Sequence, residues 1–565
     1  MSSLLRVTDP GLPVPIRGMP LPQLYQKLTR DGTCMFREVK IPLHADHAFR
    51  ASWRQSRRKW LERGYSIRQL NGAWMLSQWL LFQPDKSLTL TKLGQERLDE
   101  LVSPQAELQL AASVPTYILP ELPFGLADKL RGYQIDPARQ LYRALTHGRQ
   151  EWGYPGAFDA SDMGTGKTYM DLAAAIATGR EVVILCPTVG IAGWQRACDH
   201  FGITPLFIST YEAVRGGFRP HIAQEIEGKF TWKHPDKIII IFDEAQALRH
   251  EDTLTVRCCS AAIRQGIPII MASATVAVSV LEMRFVGRVT GLHAGSEDWE
   301  RFLANHGCIK ARQSWKWDGK AHHLARIHSR LFPSRGARVR KQDLGEECPE
   351  TIIETLPFRI PEALRIEEQW KEANEMLDRL AAQGMAAAQI KVKERNLRMK
   401  IWKESERVLV PHIGERIRAD VQDGNSVAVF MNFNETRITL ARMLNTSAGF
   451  YGGQPLARRQ YWEKEFQANR QHVLVSNIAA GGASVSLHDI HGERPRVSYI
   501  FPTDHVVKFE QATGRVDRVG GKSLSRQYIP HVAGSISERM VAGLRRKMRN
   551  IATLNDGHKA SAAKF

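Results

Sequence analysis

Two short stretches of this 565-residue chain combine residue types that phosphate chemistry requires. Ala160-Ser161-Asp162-Met163-Gly164-Thr165-Gly166-Lys167-Thr168 runs into a helical pattern, and Asp243-Glu244-Ala245-Gln246 follows the near-continuous apolar run from Lys237 to Phe242. Backbone amides of a Gly-rich turn at a helix N-terminus can wrap a phosphate group. Met163, Gly164, Thr165 and Gly166 are therefore expected to line a nucleotide loop, in which Lys167 supplies a point charge and Thr168 a magnesium ligand. Ser161 stands where such loops usually begin with glycine. Asp243 is expected to hold the metal with Thr168, and Glu244 to polarise the attacking water. Two adjacent carboxylates at a strand end divide this work, since one neutralises the metal while the other accepts a proton. The cofactors implied are ATP and Mg2+. Ser273-Ala-Thr275 follows another apolar run and places hydroxyls where they can couple hydrolysis to domain motion. Far downstream, Gln511-Ala-Thr-Gly-Arg515-Val-Asp-Arg518 sets two arginines three apart, on one face if the segment is helical. Guanidinium forks reaching across a cleft suit charge on a transferred phosphoryl group.

The elements that must position these residues are legible in the period of the pattern. From about 125 to 290, short β-branched runs (Glu181 to Cys186, Pro205 to Ile208, Lys237 to Phe242, Ile267 to Met271) alternate with helical stretches. Strands apolar on both faces, separated by helices, predict a mostly parallel sheet covered on both sides. A second alternating block over roughly 422–535 offers Ser426 to Met431, His472 to Ser476 and Arg496 to Phe501 as strands. The expected fold class is α/β, with two sheet domains and a cleft between them.

Composition bounds the rest. The mean hydropathy and a 43% hydrophobic fraction are those of an ordinary soluble protein, and no run approaches the roughly 18 apolar residues of a membrane helix. No membrane partner is expected. The opening Met1-Ser-Ser-Leu-Leu-Arg-Val lacks an apolar segment before a small-residue cleavage site, so a secretory leader is not expected. The seven cysteines are scattered without metal-ligand spacing and read as reduced thiols, in a cytoplasmic compartment if bacterial or phage-encoded, or alternatively a nuclear one. A formal charge of +19 favours polyanionic partners, through release of counterions from phosphates. Cations beside aromatics in Arg50 to Trp60, and the basic and aromatic residues between 295 and 345, are candidate nucleic-acid surfaces, as is the charged helical stretch 361–420.

Further motifs resemble those of superfamily 2 helicases and, more narrowly, of the Swi/Snf-type double-stranded DNA translocases. Leu130-Arg-Gly-Tyr-Gln134 is similar to that group's adenine-side motif, which implies that Gln134 reads the base and Tyr133 packs nearby. Pro187-Thr188 through Trp194 is similar to its next motif, Ser209-Thr210-Tyr211-Glu to a strand-end motif on the nucleic-acid backbone, and Ser476 through Gly482 and Ser484 to a motif linking backbone contact to nucleotide. The resemblance implies nucleic-acid contacts at Thr188, Trp194, Ser209, Thr210, Tyr211, Ser476, Gly482 and Ser484, and catalytic roles for Lys167, Asp243, Glu244, Gln511, Arg515 and Arg518. Ser273-Ala-Thr275 follows the broader superfamily instead of the TGTP of the narrow group. Implied overall are two RecA-like domains (119–294 and 421–540), an N-terminal accessory domain (1–118), a basic helical insertion (295–420) and a basic tail (541–565). The implied activity is ATP-driven translocation or unwinding on duplex, forked or branched DNA, with RNA as the alternative track. A replication, recombination or repair setting in a phage or bacterium would fit, with a single-stranded-DNA-binding or replication protein as partner. An ATP-switched binding module is the alternative from another class.

Overall fold

The computed structural model describes residues 118–557 apart from 218–221, 227–228, 250–252, 312–313 and 482–484, together with the backbone of five strands between residues 37 and 90. The chain forms two compact units, Met1–Tyr117 with Ser296–Gly319, and Ile118–Gly295 with Lys320–Phe565. In the first unit, Arg37–Lys40, Ala73–Ser77 and Ser66–Leu70 make an antiparallel sheet with Ala73–Ser77 central. Leu80–Phe82 pairs with Leu88–Leu90, and Cys308–Ala311 with Ser314–Trp317. The cationic and aromatic side chains of Arg50 to Trp60 lie outside the described residues.

The second unit holds two parallel sheets. The strands of the first are β1 (Gly156–Asp159), β2 (Glu181–Leu185), β3 (Phe207–Ser209), β4 (Ile238–Asp243), β5 (Ile269–Ala272) and β6 (Gly336–Ala337), in the order β6-β1-β5-β4-β2-β3. Every pairing is parallel. Ile239, Ile240, Ile241 and Phe242 in β4 are fully buried, as a strand apolar on both faces requires. Helices α1 (Gly132–Trp152), α2 (Lys167–Ala177) and α3 (Ile191–Phe201) cover one face through Leu141, Leu172, Trp194 and their neighbours. The strand order matters for function. It sets the carboxyl ends of β1, β5 and β4 side by side, and these ends carry the Gly-rich loop, Ser273 and the Asp243-Glu244 pair.

The second sheet contains β7 (Thr351–Phe358), β8 (Ser426–Met431), β9 (Val473–Asn477), β10 (Arg496–Ile500) and β11 (Ser525–Val532), in the order β7-β11-β10-β8-β9, again all parallel. One face packs on α4 (Glu362–Ala382) and α5 (Ala387–Gln422) through Ile366, Leu409, Ile413 and Ile417. The other packs on α6 (Val506–Thr513) and α7 (Ile536–Asp556) through Phe509, Leu544, Met548 and Ile551. Two mostly parallel sheets flanked by helices thus make tandem RecA-like domains, with additional N-terminal and helical regions.

Two stretches are organised differently from the expectation. Residues 295–420 are not one insertion: Ser296–Gly319 joins the first unit, β6 extends the first sheet, and β7 with α4 belongs to the second. Pairing of short strands across long sequence separations left no local signal for this. Residues 541–556 are likewise no loose tail. Val541, Leu544, Met548 and Ile551 recur at helical spacing and are buried, so the basic residues between them occupy the outer face of a packed helix.

Phe430 in β8 is fully buried against Phe450, Phe466 and Ile500. Phe430→Ala is expected to destabilise the second domain by about 3–5 kcal/mol through lost transfer energy and a residual cavity. Urea titration would read this as a lower midpoint, and an unchanged midpoint would contradict the packing described.

Candidate nucleotide site

The Gly-rich loop connects β1 to α2. Gly164 (φ 84°) and Gly166 (φ 86°) both take the left-handed conformation, which lets the chain curl back before Lys167 starts the helix. A side chain at position 166 would collide with Gln134, since a Cβ there would stand 2.2 Å from its Nε2. Gln134 itself is buried, donating to Thr165 O at 3.1 Å and accepting from Arg131 N at 3.0 Å. Tyr133 also donates to Thr165 O, at 3.1 Å. These two residues, expected on the base, grip the loop's own backbone.

Lys167 folds inward, and Nζ donates to Ser161 O (2.7 Å) and Asp162 O (3.0 Å). Two neutral carbonyls therefore satisfy an ammonium that a phosphate could take over. Beneath it lie Asp159 and Asp171, both fully buried. Asp159 accepts from Ser161 N at 2.7 Å. Burial first, and then the charge of the neighbouring Asp159, hold the Asp171 carboxyl well above the usual range. Asp171 lies one helical turn beyond Lys167, on the same face of α2.

At the end of β4, Glu244 has φ 52°, a left-handed value that costs a non-glycine residue about 1–3 kcal/mol. Its backbone N–H donates to Asp243 Oδ1 (2.9 Å), and Gln246 Nε2 donates to Glu244 Oε2 (2.6 Å). Ser273 Oγ then donates to Gln246 Oε1 at 2.6 Å and accepts from Thr275 N at 3.1 Å. A continuous chain of hydrogen bonds thus joins Glu244 to the loop after β5. Burial, followed by the charge of Glu244, pushes Asp243 up to about 6. Two crowded carboxylates near the Lys167 ammonium fit a divalent cation, which would relieve their repulsion. Asp243 could hold Mg2+ from β4 and Thr168 from the first turn of α2, while the glycine loop suits the phosphates of ATP.

The arginines come from the second domain. Arg518 lies over the loop, with its Cγ 3.1 Å from where a Cβ on Gly164 would stand, and Nη1 donates to Ser486 Oγ at 2.7 Å. Arg515 is buried, donating to Gln511 O (2.9 Å) and Val485 O (3.3 Å). Burial first, and then the charge of Arg518, lowers its pKa to about 9, with Glu244 and Glu463 opposing the shift. Gln511, at the C-terminal end of α6, contributes the carbonyl that orients Arg515. Site residues from two sheets are therefore gathered at one place.

The residues expected on a polymer are distributed unevenly. Trp194 is buried, and its Nε1 donates to Asp243 Oδ2 at 2.8 Å; Tyr211 is buried and donates to Asp243 O at 2.7 Å. Trp194 steadies the carboxylate and Tyr211 the main-chain carbonyl of the same residue, and both rings are turned away from solvent, where their apolar surface is buried. The Ser209 and Ser476 side chains are also inside, with Ser476 Oγ accepting from Phe450 N at 3.0 Å. Thr210 caps a short helix by accepting from Ala213 N at 3.2 Å, and Thr188 is exposed. Gly482 and Ser484 lie outside the described residues.

Several functional contacts escaped sequence reasoning. Arg338, just after β6, donates to Ala160 O and Asp162 Oδ1, both at 2.7 Å, and to Asp556 Oδ1 at 2.7 Å and Oδ2 at 3.1 Å. Lys341 N donates to Asp162 Oδ2 (3.0 Å), while its Nζ reaches Asp517 O (2.5 Å), between the two arginines. Asn555 Nδ2 in α7 donates to Ala274 O at 2.7 Å. The nucleotide loop, the Ser273 loop and the arginine segment are thus tied together. The basic composition of residues 295–345 marked this stretch in the sequence, but as a candidate nucleic-acid surface and not as part of this network.

Arg338→Met is expected to destabilise the protein by about 2–3 kcal/mol, because the half-buried Asp162 and Asp556 would be left without their cation. Adding Asp556→Asn and Asp162→Asn should recover part of the loss. Thermal unfolding of single and triple variants checks this, and equal stability of Arg338→Met and the parent would contradict it.

No protein-family model matches the chain. A protein of Acanthamoeba polyphaga mimivirus named "Putative ATP-dependent RNA helicase L364" is 28% identical over 430 residues, covering 71% of this chain and 80% of the viral protein. With two parallel-sheet domains converging on one phosphate-type loop, the chain is helicase-like in the general superfamily 2 sense and related to this viral protein.

Proposed function

We propose that the chain is an ATP-hydrolysing nucleic-acid motor, and that it acts as a strand-separating helicase on RNA or DNA. The observation that carries this reading is the hydrogen-bonded series Glu244–Gln246–Ser273, set opposite arginines from the other domain. The mimivirus relative's name supports an unwinding enzyme over a duplex translocase, as does Ser273-Ala-Thr275 in place of TGTP.

In this reading Lys167 leaves the carbonyls of Ser161 and Asp162 and turns its ammonium to the β- and γ-phosphates. Bound Mg2+ would supply charge neutralisation between the phosphates. Glu244 orients the attacking water and takes its proton. Its left-handed backbone and its bond from Gln246 hold the carboxylate in one place, so little reorganisation is left for the reaction itself. Arg518 and Arg515 exchange Ser486 Oγ and backbone carbonyls for oxygens of the transferred phosphoryl group. That exchange draws the second sheet domain toward the first. Through Gln246 and Ser273, a change at Glu244 reaches Ala274 O and hence α7 of the other domain. Hydrolysis and domain position are then mechanically linked.

ATP hydrolysis measured with single-stranded RNA, single-stranded DNA, duplexes and forks should rise with at least one polymer. Stimulation by none of them would sink the motor and leave an ATP-switched binding module. Separation of a plain duplex supports the helicase, whereas displacement of a third strand from a triplex without separation would favour the duplex DNA translocase. Glu244→Gln should retain ATP binding while turnover falls on the order of 10³-fold, and Arg518→Ala should lower kcat by roughly 10³-fold or more. Normal turnover in either variant would overturn its assigned role.

A further inference from the structure

Away from the nucleotide site, the first sheet domain carries a cleft of about 510 Å³ that the proposed chemistry does not use. It opens between the helices Leu254–Arg264 and Arg284–Val289 and the strand Lys229–Trp232. Five cations line it, Lys229, Arg257, Arg264, Arg284 and Arg288, above an apolar floor that includes Phe230 and Phe285. Among the described residues no carboxylate lines the cleft, and Glu225 pairs with Arg257 at 3.8 Å. The Nε of Arg288 is buried without a hydrogen-bond acceptor. Burial, and then the charge of Arg264, lowers the Arg288 pKa; burial, and then the charge of Arg288, lowers that of Arg284. Such a concentration of like charge on apolar walls raises the local potential and draws anions in.

The spacing narrows the kind of anion. Arg257 and Arg264 stand seven residues apart on one helix, about 10 Å along its axis. Arg284 and Arg288 stand one turn apart, about 6 Å. A nucleic-acid strand carries a charge every ~3.4 Å of axis, so the cleft spans several phosphates, and its charge row is longer than a single small anion. Its upper end also adjoins the segment expected near a polymer backbone. Arg215, in the short helix that Thr210 caps, donates to Thr255 Oγ1 at 2.8 Å, on the same helix as Arg257 and Arg264.

We propose that this cleft is a sequence-independent seat for the phosphate backbone of nucleic acid, additional to any contacts made between the two sheet domains. The inference rests on the reading of the chain as a nucleic-acid motor. Guanidinium forks grip phosphate oxygens, and contacts to phosphate carry no sequence information.

The test uses the full chain and a double variant, Lys229→Gln with Arg264→Gln, two exposed cations remote from the nucleotide loop. Binding of labelled single-stranded RNA and DNA is measured against KCl concentration, and ATP hydrolysis with and without polymer. Loss of two phosphate contacts should make the plot of log K against log salt shallower by about 1.4, with basal hydrolysis unchanged and polymer affinity lower by about tenfold at intermediate salt. The same salt slope and affinity in the variant, with the parent still stimulated by polymer, overturns the cleft alone. Failure of the parent to bind any polymer or respond to it overturns the motor reading as well. Competition by inorganic tripolyphosphate that is lost in the variant, with polymer affinity identical in both proteins, would assign the cleft to a free polyanion and likewise overturn the proposal.

Discussion

The guanidinium of Arg338 is 12% exposed and lies between Asp162 in the nucleotide loop and Asp556 in the last helix. One cation between two half-buried carboxylates cannot be removed without leaving charge in a poorly solvated place, and so three distant segments are bound to one geometry. The loop's carboxylate is shared with the backbone of Lys341, whose ammonium holds Asp517 beside the two arginines. Every conformational change in the loop must therefore be felt by the second domain. Burial works against the Arg338 charge, and the carboxylates of Asp162 and Asp556 together outweigh it, so that its pKa is raised.

Around this tie the site is electrostatically unfinished. Burial and then Glu244 hold Asp243 up to about 6, burial and then Asp159 hold Asp171 well above the usual range, and burial and then Arg518 press Arg515 down to about 9. Each combines burial of a charged group with a like charge beside it. A divalent cation would offset the repulsion between Asp243 and Glu244, and phosphates that between Arg515 and Arg518. The inward Lys167 and the strained backbone of Glu244 belong to the same pattern, since both hold reactive groups ready while neutral carbonyls and a neighbouring amide satisfy them.

Much of the first sheet domain was legible because its signals are local. The isoleucine run of β4 needs burial on both faces, and Gly164-Thr165-Gly166-Lys167 needs left-handed backbone followed by a helix start. Arg515 and Arg518 were recognisable from their neighbours, and they do sit by the loop. What misled was side-chain direction at the strand ends. Trp194, Ser209, Tyr211 and Ser476 were expected to face a polymer, but a pattern of residue types does not say which way a ring or hydroxyl turns, and each is buried here. The stretch 295–420 misled for another reason. Two of its strands, β6 and β7, pair with partners far away in sequence, so composition alone grouped segments that tertiary structure distributes among three places.

By itself, the sequence determined the α/β class, the two-sheet organisation, the phosphate-type loop and the carboxylate pair, because each depends on the conformational needs of a few consecutive residues. Only tertiary structure decided that Gln134 and Tyr133 would grip Thr165, that Trp194 would serve Asp243, and that the apparent basic tail would become α7, with Asn555 on the Ser273 loop and Asp556 on Arg338. It also brought five cations from three separate elements into one cleft. The physical reason is common to all: charge and hydrogen-bond satisfaction are settled by distance in space, and chain order carries that information only where neighbours in sequence remain neighbours in the fold.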